Sequence, residues 1–358
     1  MQQAPPRDEM PHPAEKGTSM TTTYRSYRLA SRPQGAPTAQ NFEIAQKPIP
    51  TPREGQAVLR TLYLSLDPYM RGRMDDAKSY AAPVEIGGLM VGATVSEVVA
   101  TESDAVAVGD IVLGYGGWAE YSVEDASVLR VLDPAEVPVT TALGVLGMPG
   151  FTAYAGLLAL GKPQPGETVA VAAATGPVGS AVGQIAKVKG ATAIGIAGGQ
   201  KKVDLLREFG FDQALDHRSG DLRAELKAAA PDGIDVYFEN VGGAVWDAVL
   251  PRLNTFARVP VCGLVAQYNG TSEFAPAGSM ERVMRSVLTK SLTLRGFIQN
   301  EFVESMHDDF LRDMTQWVKS GQVKYQEEVI DGFDNVLDAF NDMLAGKNFG
   351  KTVVKIAE

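Results

Sequence analysis

Hydrophobic and polar positions follow two different patterns along the chain. From Tyr24 to about Glu136, short apolar or alternating runs are separated by Gly, Pro and Asp, which is typical of β-strands joined by turns. After Pro138, six strand-like apolar runs alternate with helix-like amphipathic segments. Uninterrupted apolar strands are buried on both faces, so this part predicts a doubly wound parallel sheet with helices on both sides. The earlier part predicts a small β-barrel or sandwich.

The end of the chain returns to β-like and mixed character, in YQEEVI, a helical stretch near DNVLDAFNDMLAG, and KTVVKIA. We expect this tail to pack on the β-rich domain, which is then discontinuous. The predicted organisation is a disordered extension over residues 1–19, a substrate domain over 20–145 completed by 320–358, and a Rossmann domain over 146–319. The extension is predicted because it holds four prolines and mixed charge without an apolar core segment.

Two uncharged stretches, 137–161 and 168–186, approach the length of a membrane-spanning helix. The first is interrupted by Met148-Pro149-Gly150 and the second by Thr175-Gly176-Pro177. A continuous helix through either would lose backbone hydrogen bonds that lipid cannot replace. We therefore predict buried strand and helix pieces of a soluble protein without a membrane partner. The first 19 residues lack the apolar segment of a signal peptide, so a cytoplasmic location is expected.

Composition excludes several kinds of site. The 358 residues include one cysteine, Cys262, and three histidines far apart at 12, 217 and 307. This excludes an internal disulfide and a thiolate zinc cluster, and a three-ligand zinc site would need carboxylates almost throughout. The formal charge of −10 argues against a nucleic-acid surface. We therefore expect no metal and no nucleic-acid partner.

A dinucleotide fingerprint lies between a predicted strand and a predicted helix, in Ala174-Thr175-Gly176-Pro177-Val178-Gly179. Alanine replaces the first glycine of the usual motif. Gly176 would allow the backbone to approach a pyrophosphate at the helix N-terminus, and Gly179 would allow the helix to pack closely on the sheet. The alternative is a glycine-rich turn without a ligand, but the strand–turn–helix context favours the nucleotide site.

The choice between NAD and NADP depends on the end of the second strand of this unit. NAD-preferring proteins carry Asp or Glu there, about 20 residues after the glycines, to accept from the ribose 2′-hydroxyl. This chain has Gly198-Gly199-Gln200-Lys201-Lys202 instead. A lysine pairs with a 2′-phosphate, and a lysine at a helix N-terminus is disfavoured unless an anion is present. The sequence therefore predicts NADP(H), although either lysine alone could be a solvated helix start.

The whole pattern resembles the medium-chain dehydrogenase/reductase superfamily, which has a GroES-like β-barrel domain and a Rossmann domain. It is most similar to the zinc-independent double-bond reductases, which include prostaglandin, alkenal and curcumin reductases. The glycine-rich stretch 86–92 replaces the Gly-His-Glu ligand motif of the zinc-dependent relatives. The resemblance rests on Ser65-Leu66-Asp67-Pro68-Tyr69-Met70-Arg71, Gly147-Met148-Pro149-Gly150-Phe151-Thr152-Ala153-Tyr154, Gly183-Gln184-Ile185-Ala186-Lys187, Phe238-Glu239-Asn240-Val241-Gly242-Gly243, Cys262-Gly263, Gln267-Tyr268-Asn269 and Asn348-Phe349-Gly350-Lys351-Thr352.

The resemblance implies NADPH as the cofactor and a homodimer as the assembly. Lys202 is expected at the 2′-phosphate. At His217 many relatives have a tyrosine; the histidine either contacts the same phosphate or is a plain strand-end residue. Cys262 is either cofactor-adjacent or a small buried hydrophobe. The full set of expected cofactor contacts is Met148, Thr152, Thr175, Gly176, Pro177, Val178, Gly198, Lys202, His217, Asn240, Cys262, Tyr268, Phe297, Ile298 and Asn348.

The reaction implied by the resemblance is 1,4-reduction of an α,β-unsaturated aldehyde or ketone, a reaction on a CH–CH group. Tyr268 matches the tyrosine that donates to the developing enolate, although it could be an ordinary loop residue. Tyr69 and Tyr80 are expected to line the substrate pocket or to pack within the barrel. Two other functions stay open: a quinone reductase on the same fold, and a non-catalytic NADPH-binding protein.

Overall fold

The structure is a computed structural model that describes residues 22–270 and 279–357. The expected extension over 1–19 lies outside these residues. The β-rich first part forms strands where the sequence pattern predicts them. Its elements are β1 (Thr23–Leu29), β2 (Phe42–Pro48), β3 (Gln56–Ser65), α1 (Tyr69–Gly72), β4 (Thr94–Thr101), β5 (Ile111–Gly114), β6 (Tyr121–Asp125) and β7 (Arg130–Val131).

The second part alternates helices and strands before the chain returns to strand structure. Its elements are α2 (Met148–Ala155), β8 (Thr168–Ala172), α3 (Pro177–Val188), β9 (Thr192–Ala197), α4 (Gln200–Glu208), β10 (Gln213–Asp216), α5 (Leu222–Ala229), β11 (Ile234–Phe238), α6 (Gly243–Val249), β12 (Leu253–Val261), α7 (Ser279–Lys290), β13 (Thr293–Gly296), α8 (Val303–Lys319), β14 (Glu327–Asp331), α9 (Val336–Leu344) and β15 (Lys351–Lys355).

The predicted doubly wound parallel sheet is confirmed. Six parallel strands lie in the order β10-β9-β8-β11-β12-β13. The central strand β8 shows why its sequence is continuously apolar. Val169 and Val171 pack in one hydrophobic cluster, whereas Ala170 and Ala172 pack in another. Successive residues of a strand point to opposite faces, so helices cover both sides of this sheet.

The C-terminal strands complete the sheet of the first part. The sheet has the order β14-β15-β3-β4-β5-β7, with β6 also paired to β3. β15 runs antiparallel to β3, and Val353 lies opposite Ser65. A buried ion pair lies at this junction, because Lys351 Nζ is 3.2 Å from Asp67 Oδ1 and also donates to the carbonyl of Leu66 at 2.5 Å. The pair holds the segment that leads into α1. The exact domain boundaries stay a prediction.

The apolar stretch 137–161 is wholly helical or turn-like in the structure. It contains a 3-10 turn at Val139–Leu143, α2, and a π-helical turn at Gly156–Gly161. The expected strand pieces therefore occur only in the second uncharged stretch, where β8 ends before Pro177 begins α3. Pro149 lies in the first turn of α2, where a missing backbone N–H costs nothing. Among the described residues, no helix is long and apolar enough to cross a membrane.

Candidate cofactor and substrate site

Most of the predicted cofactor residues directly follow consecutive strands of the parallel sheet. Thr175 and Gly176 follow β8, and Gly198 follows β9. The other strands of this sheet are followed in the same way by predicted residues: His217 after β10, Asn240 after β11, Cys262 after β12, and Phe297 with Ile298 after β13. The carboxyl ends of parallel strands meet at one edge of a sheet, which is where doubly wound folds bind their ligands. The topology therefore brings these residues to one edge.

The turn between β8 and α3 has the geometry of a pyrophosphate site. Gly176 is the N-cap of α3, no side chain caps the helix, and Pro177 follows in the first turn. The first-turn N–H groups of an uncapped helix lack intrahelical partners and attract an anion. A Cβ on Gly179 would lie 2.5 Å from the carbonyl oxygen of Ala173, so the close approach of helix and strand requires glycine there. These residues fit a bound dinucleotide.

A cluster of basic side chains surrounds Gly198. A Cβ on Gly198 would lie 2.7 Å from Arg218 Nε and 2.8 Å from His217 Nε2, so both side chains lie against this backbone. Lys202 Nζ donates to the carbonyl of Gly346 at 2.8 Å and lies 5.6 Å from the centre of the Phe349 ring. The basic cluster thus consists of Lys202, His217 and Arg218.

The positive charges of the basic cluster lower the pKa values of its own members. Burial lowers the pKa of Lys202, and the charge of Arg218 lowers it further. Burial likewise lowers the pKa of His217, with Arg218 and Lys202 acting in the same direction. The neighbouring Asp216 carboxylate accepts from the backbone N–H groups of Gly199 and Arg218 at 2.8 and 2.9 Å, and its negative charge partly offsets the lowering of the His217 pKa. An anion such as a 2′-phosphate would relieve this repulsion.

Arg218 was missed by the sequence analysis. Its signal was present, since it follows the third strand of the unit after His217, much as Lys202 comes soon after the second strand. In dinucleotide sites an arginine near the second strand can accommodate the 2′-phosphate, with bidentate geometry that a lysine lacks. What the sequence does not show is that the ends of β9 and β10 are adjacent, which the parallel pairing of Asp216 with Ala197 establishes.

The loop after β11 is held by a buried carboxylate. Glu239 Oε1 accepts from the backbone N–H groups of Val241 at 2.6 Å and Gly242 at 2.9 Å. Asn240 Nδ2 donates to the carbonyl of Ala172 at 2.9 Å, which ties this loop to the end of β8. Cys262 N–H donates to the Glu239 carbonyl at 2.9 Å. These bonds fix Asn240 and Cys262 at adjacent strand ends.

Cys262 is held as a thiol. Burial raises its pKa to about 12, and the nearby Glu239 carboxyl contributes in the same direction. A cysteine is a nucleophile only as the thiolate, so Cys262 does not have the character of a nucleophilic residue at neutral pH. Its backbone bond to Glu239 places it near Asn240, and its expected position beside the cofactor stays a prediction.

Tyr268 lies where its phenol can reach the same edge. It follows a short 3-10 turn at Val265–Gln267, and its hydroxyl folds back toward the strand end. A Cβ on Gly263 would lie 3.1 Å from the Tyr268 hydroxyl and 3.4 Å from the carbonyl oxygen of Asn240. Burial raises the pKa of Tyr268, so the phenol keeps its proton at neutral pH. The group is a hydrogen-bond donor beside the predicted cofactor residues.

The two tyrosines that are predicted to line the substrate pocket, Tyr69 and Tyr80, differ in their exposure. Tyr69 begins α1 and packs partly against the core of the β-rich part. Tyr80 is 61% exposed. The pKa of Tyr80 is raised by burial and then by Cys262, and the pKa of Tyr268 by burial and then by Cys262 and Tyr80. The charges of Tyr80, Tyr268 and Cys262 therefore act on one another, and the space beside these residues is the predicted substrate cleft.

The remaining residues that were predicted to contact the cofactor make bonds or packing contacts within the protein. The Phe297 ring packs in the core, with its centre 6.0 Å from that of Phe238, so only its backbone is free to face a ligand. Thr152 on α2 donates its hydroxyl to the carbonyl of Met148 at 2.7 Å. Asn348 Nδ2 donates to the carbonyl of Gly350 at 3.0 Å, and Ile298 N–H donates to Glu301. Their contacts with a cofactor stay predictions.

The close fit at Gly263 gives a first testable expectation. Gly263→Ala places a methyl group 3.1 Å from the Tyr268 hydroxyl, so the hydroxyl must shift by a few tenths of an ångström. We expect kcat on an enone to fall about tenfold, since small displacements of a positioned donor are costly. The KM for NADPH should change little. Steady-state kinetics measure both, and an unchanged kcat would show that the phenol position is unimportant.

Two family models match the chain. A model described as the N-terminal domain of oxidoreductase covers residues 25–132, and one described as zinc-binding dehydrogenase covers residues 177–320. Among the residues that the structure describes, no group of three or more His, Cys, Asp or Glu side chains could hold a metal ion.

The chain is similar over most of its length to several NADPH-dependent reductases. The chain is 51% identical to the NADPH-dependent curcumin reductase of Escherichia coli K12, over 93% of this chain and 97% of that protein. It is 40% identical to prostaglandin reductase 1 of Oryctolagus cuniculus, over 91% of this chain and 92% of that protein. The crystal structure of CurA from Vibrio vulnificus in complex with NADPH superposes with a TM-score of 0.89 at 50% identity, covering 93% of this chain and 99% of that one.

These similarities agree with the fold and with the family resemblance that the sequence motifs carry. NADPH, predicted from the lysines after β9, is also the cofactor of the curcumin reductase and is bound in the CurA complex. The chain belongs to the medium-chain dehydrogenase/reductase superfamily, in its branch of zinc-independent, NADP-dependent enone reductases.

Proposed function

We propose that this chain reduces the C=C bond of α,β-unsaturated aldehydes or ketones with NADPH. The observation that carries the proposal is the Tyr268 hydroxyl, a protonated phenol placed beside Asn240 at the same sheet edge as the basic cluster. An enone reductase without a metal needs such a donor where charge develops on the carbonyl oxygen. The curcumin reductase and prostaglandin reductase relatives support the same reaction class.

NADPH, when bound, supplies a hydride to the β-carbon of the substrate and becomes NADP⁺. The residues of the chain act on the rest of the reaction. Tyr268 donates a hydrogen bond to the carbonyl oxygen, which takes the π pair of the C=O bond as the C=C pair shifts to form the enolate double bond between the α-carbon and the carbonyl carbon. The α-carbon then takes a proton from solvent, and the saturated carbonyl compound results. Tyr268 remains protonated in this scheme, because its raised pKa favours the neutral phenol.

The remaining residues position the reactants. Lys202 and Arg218 would hold the 2′-phosphate, and the uncapped N-terminus of α3 would hold the pyrophosphate. Tyr69 and Tyr80 would pack against the apolar part of the substrate from the opposite side of the cleft. Glu239 and Asn240 keep the loop after β11 in place through the bonds described above. Positioning of the hydride and donor therefore supplies most of the rate.

A substrate panel with product analysis tests this function. NADPH absorbance is followed with 4-phenylbut-3-en-2-one, a medium-chain 2-alkenal and a quinone, and the products are identified by mass spectrometry. We expect the saturated ketone and aldehyde. An allylic alcohol would show carbonyl reduction instead. Turnover of the quinone alone would favour a quinone reductase, and NADPH binding without consumption in any assay would favour a non-catalytic protein.

We also propose that the chain forms a homodimer through the β13 edge of the parallel sheet. Within the described residues, β13 pairs only with β12, and all four of its residues are exposed. The preceding helix α7 packs on the sheet through Val283 and Val287. Its outer face carries an exposed apolar stripe at every fourth residue, Met280, Met284 and Leu288. An unpaired strand edge beside an apolar stripe favours self-complementary pairing with a second copy.

The dimer is tested by removing the apolar stripe. Met284→Glu combined with Leu288→Glu places charges on side chains that are 57% and 80% exposed, so the fold of one copy should be retained. We expect the mass measured by light scattering to fall from that of two copies to that of one, with the circular dichroism spectrum unchanged. A wild-type chain that is a monomer at micromolar concentration would contradict the proposal.

A further inference from the structure

The turn that follows α9 places the C-terminal part of the β-rich domain against the basic cluster. Residues 345–350, called the tail turn below, lie between α9 and β15, and β15 pairs with β3 of the first sheet. Lys202 lies in the first turn of α4, beside the parallel sheet, and its ammonium contacts the tail turn. A Cβ on Gly346 would lie 3.9 Å from Arg218 Nη2, so a second member of the basic cluster is also close. These contacts connect the two parts of the chain.

Two glycines fix the path of the tail turn. Gly346 has a φ of +65° and follows the last turn of α9, where its N–H donates to the Met343 carbonyl at 3.0 Å. The next N–H, that of Lys347, donates to the Asp342 carbonyl at 2.9 Å. These two bonds form the Schellman pattern of a helix C-terminus, which favours glycine in the left-handed conformation. At the other end of the turn, a Cβ on Gly350 would clash with a neighbouring backbone carbonyl. The backbone of the turn is therefore set independently of Lys202.

The tail turn holds the side chain of Lys202 in two ways. The Gly346 carbonyl accepts from Lys202 Nζ at 2.8 Å, and the ammonium lies 5.6 Å from the centre of the Phe349 ring, within the range of a cation–π contact. The backbone N–H of Phe349 donates to Glu328 Oε2 at 3.3 Å, which fixes the residue that carries the ring. An ammonium has three N–H donors. Within the described parts of the chain, Gly346 receives the only hydrogen bond from Lys202 Nζ, so two donors are available to an anion.

We propose that the tail turn is part of the site that selects NADPH over NADH, with Phe349 as the residue that positions Lys202 for the 2′-phosphate. The inference rests on the proposed contact between Lys202 and that phosphate. A lysine side chain is long and flexible, and it loses rotamer freedom when it binds an anion. A side chain that is already held in place loses less, so the anion binds more tightly. NADH lacks the 2′-phosphate and gains nothing from this positioning.

Binding titrations with NADPH and NADH test this role without any enone. Phe349→Leu removes the aromatic face and keeps an apolar side chain. We expect the Kd for NADPH, measured by nucleotide fluorescence, to rise about fivefold, and the Kd for NADH to change less than about twofold. Phe349→Tyr keeps the ring and should bind both nucleotides as the wild type does. Lys347→Met is the control for a change of charge in the same turn, since Lys347 is exposed and pairs with Asp342 at 2.7 Å. It should also resemble the wild type.

A double-mutant cycle separates the positioning of Lys202 from a general effect on the fold. In the Lys202→Ala background, Phe349→Leu should change the Kd for NADPH less than about twofold, because the side chain that the ring positions is gone. A fivefold rise in that background, equal rises for NADPH and NADH, or wild-type Kd values for Phe349→Leu would each overturn the inference. Phe349→Met, with the same expected result, serves if the leucine variant does not fold, as judged by circular dichroism. Because the titrations involve no turnover, a failure of the proposed reaction would appear separately, in the substrate panel.

Discussion

Tyr268→Phe is expected to lower kcat for 4-phenylbut-3-en-2-one by roughly a hundredfold, which is the usual effect of removing one donor to a developing oxyanion. The phenyl ring keeps the packing of the side chain, and the KM for NADPH should stay within about twofold because ground-state binding is not changed. The structure supports this expectation because the Tyr268 hydroxyl is next to Gly263 and Asn240 at the cofactor edge. Stopped-flow measurement of NADPH oxidation separates the chemical step from product release.

Tyr80→Phe is the matched control, since it removes a phenol from the other side of the cleft without touching the strand edge. We expect it to affect KM for the enone more than kcat. The pH profile adds a second check. Burial raises the pKa of Tyr268 above 10.0, so the donor form persists to higher pH and kcat should stay level up to about pH 10. Full turnover by Tyr268→Phe would remove Tyr268 from the reaction.

Selectivity for NADPH over NADH is expected to collapse when the basic cluster is removed. Lys202→Ala and Arg218→Ala should each raise the KM for NADPH about ten- to hundredfold, because each removes a charge-assisted hydrogen bond to the 2′-phosphate. The KM for NADH, which has no 2′-phosphate, should change little or fall. The two side chains share one anion, so the effects of the double variant are not expected to add. Steady-state kinetics with both cofactors measure the ratio.

Lys201→Ala provides the control for net charge, because Lys201 is an exposed residue next to Lys202 in the sequence. It should leave both KM values near those of wild type. Equal rises in KM for NADPH and NADH in the Arg218→Ala enzyme would show that Arg218 supports the fold of the loop rather than the phosphate. In that case the selectivity would come from Lys202 or from His217, the other members of the basic cluster.

The fold could be predicted because the hydrophobic pattern within each segment indicates whether that segment is a strand or a helix. Continuous apolar runs such as that of β8 indicated strands buried on both faces, and the amphipathic stretch from Pro177 indicated α3. The β-like character of the last residues also predicted that the C-terminal segment packs on the β-rich domain, and β15 does pair with β3. The stretch 137–161 was harder, because its apolar residues carry no clear period and Pro149 fits the start of a helix as well as a break.

Much of the candidate site could also be predicted from the sequence. Once the parallel strands are predicted, the residues that follow them must lie at one edge of the sheet. Contacts between side chains could not be predicted. Arg218 was missed because its approach to Gly198 depends on the adjacency of β9 and β10. Phe297 was expected to contact the cofactor; its ring packs against Phe238 in the core, and the contact stays a prediction. Cytoplasmic location and the roles of the individual site residues stay predictions.

Transfer of deuterium tests the proposed reaction most directly. The enzyme is given 4-phenylbut-3-en-2-one with NADPH that carries deuterium on the transferable face of the nicotinamide, and the product is examined by NMR. Hydride delivery to the β-carbon predicts 4-phenylbutan-2-one with one deuterium at that carbon, and solvent hydrogen at the α-carbon. Deuterium on the carbonyl carbon of an alcohol, or its absence from any product, would contradict the assignment of this chain as a double-bond reductase.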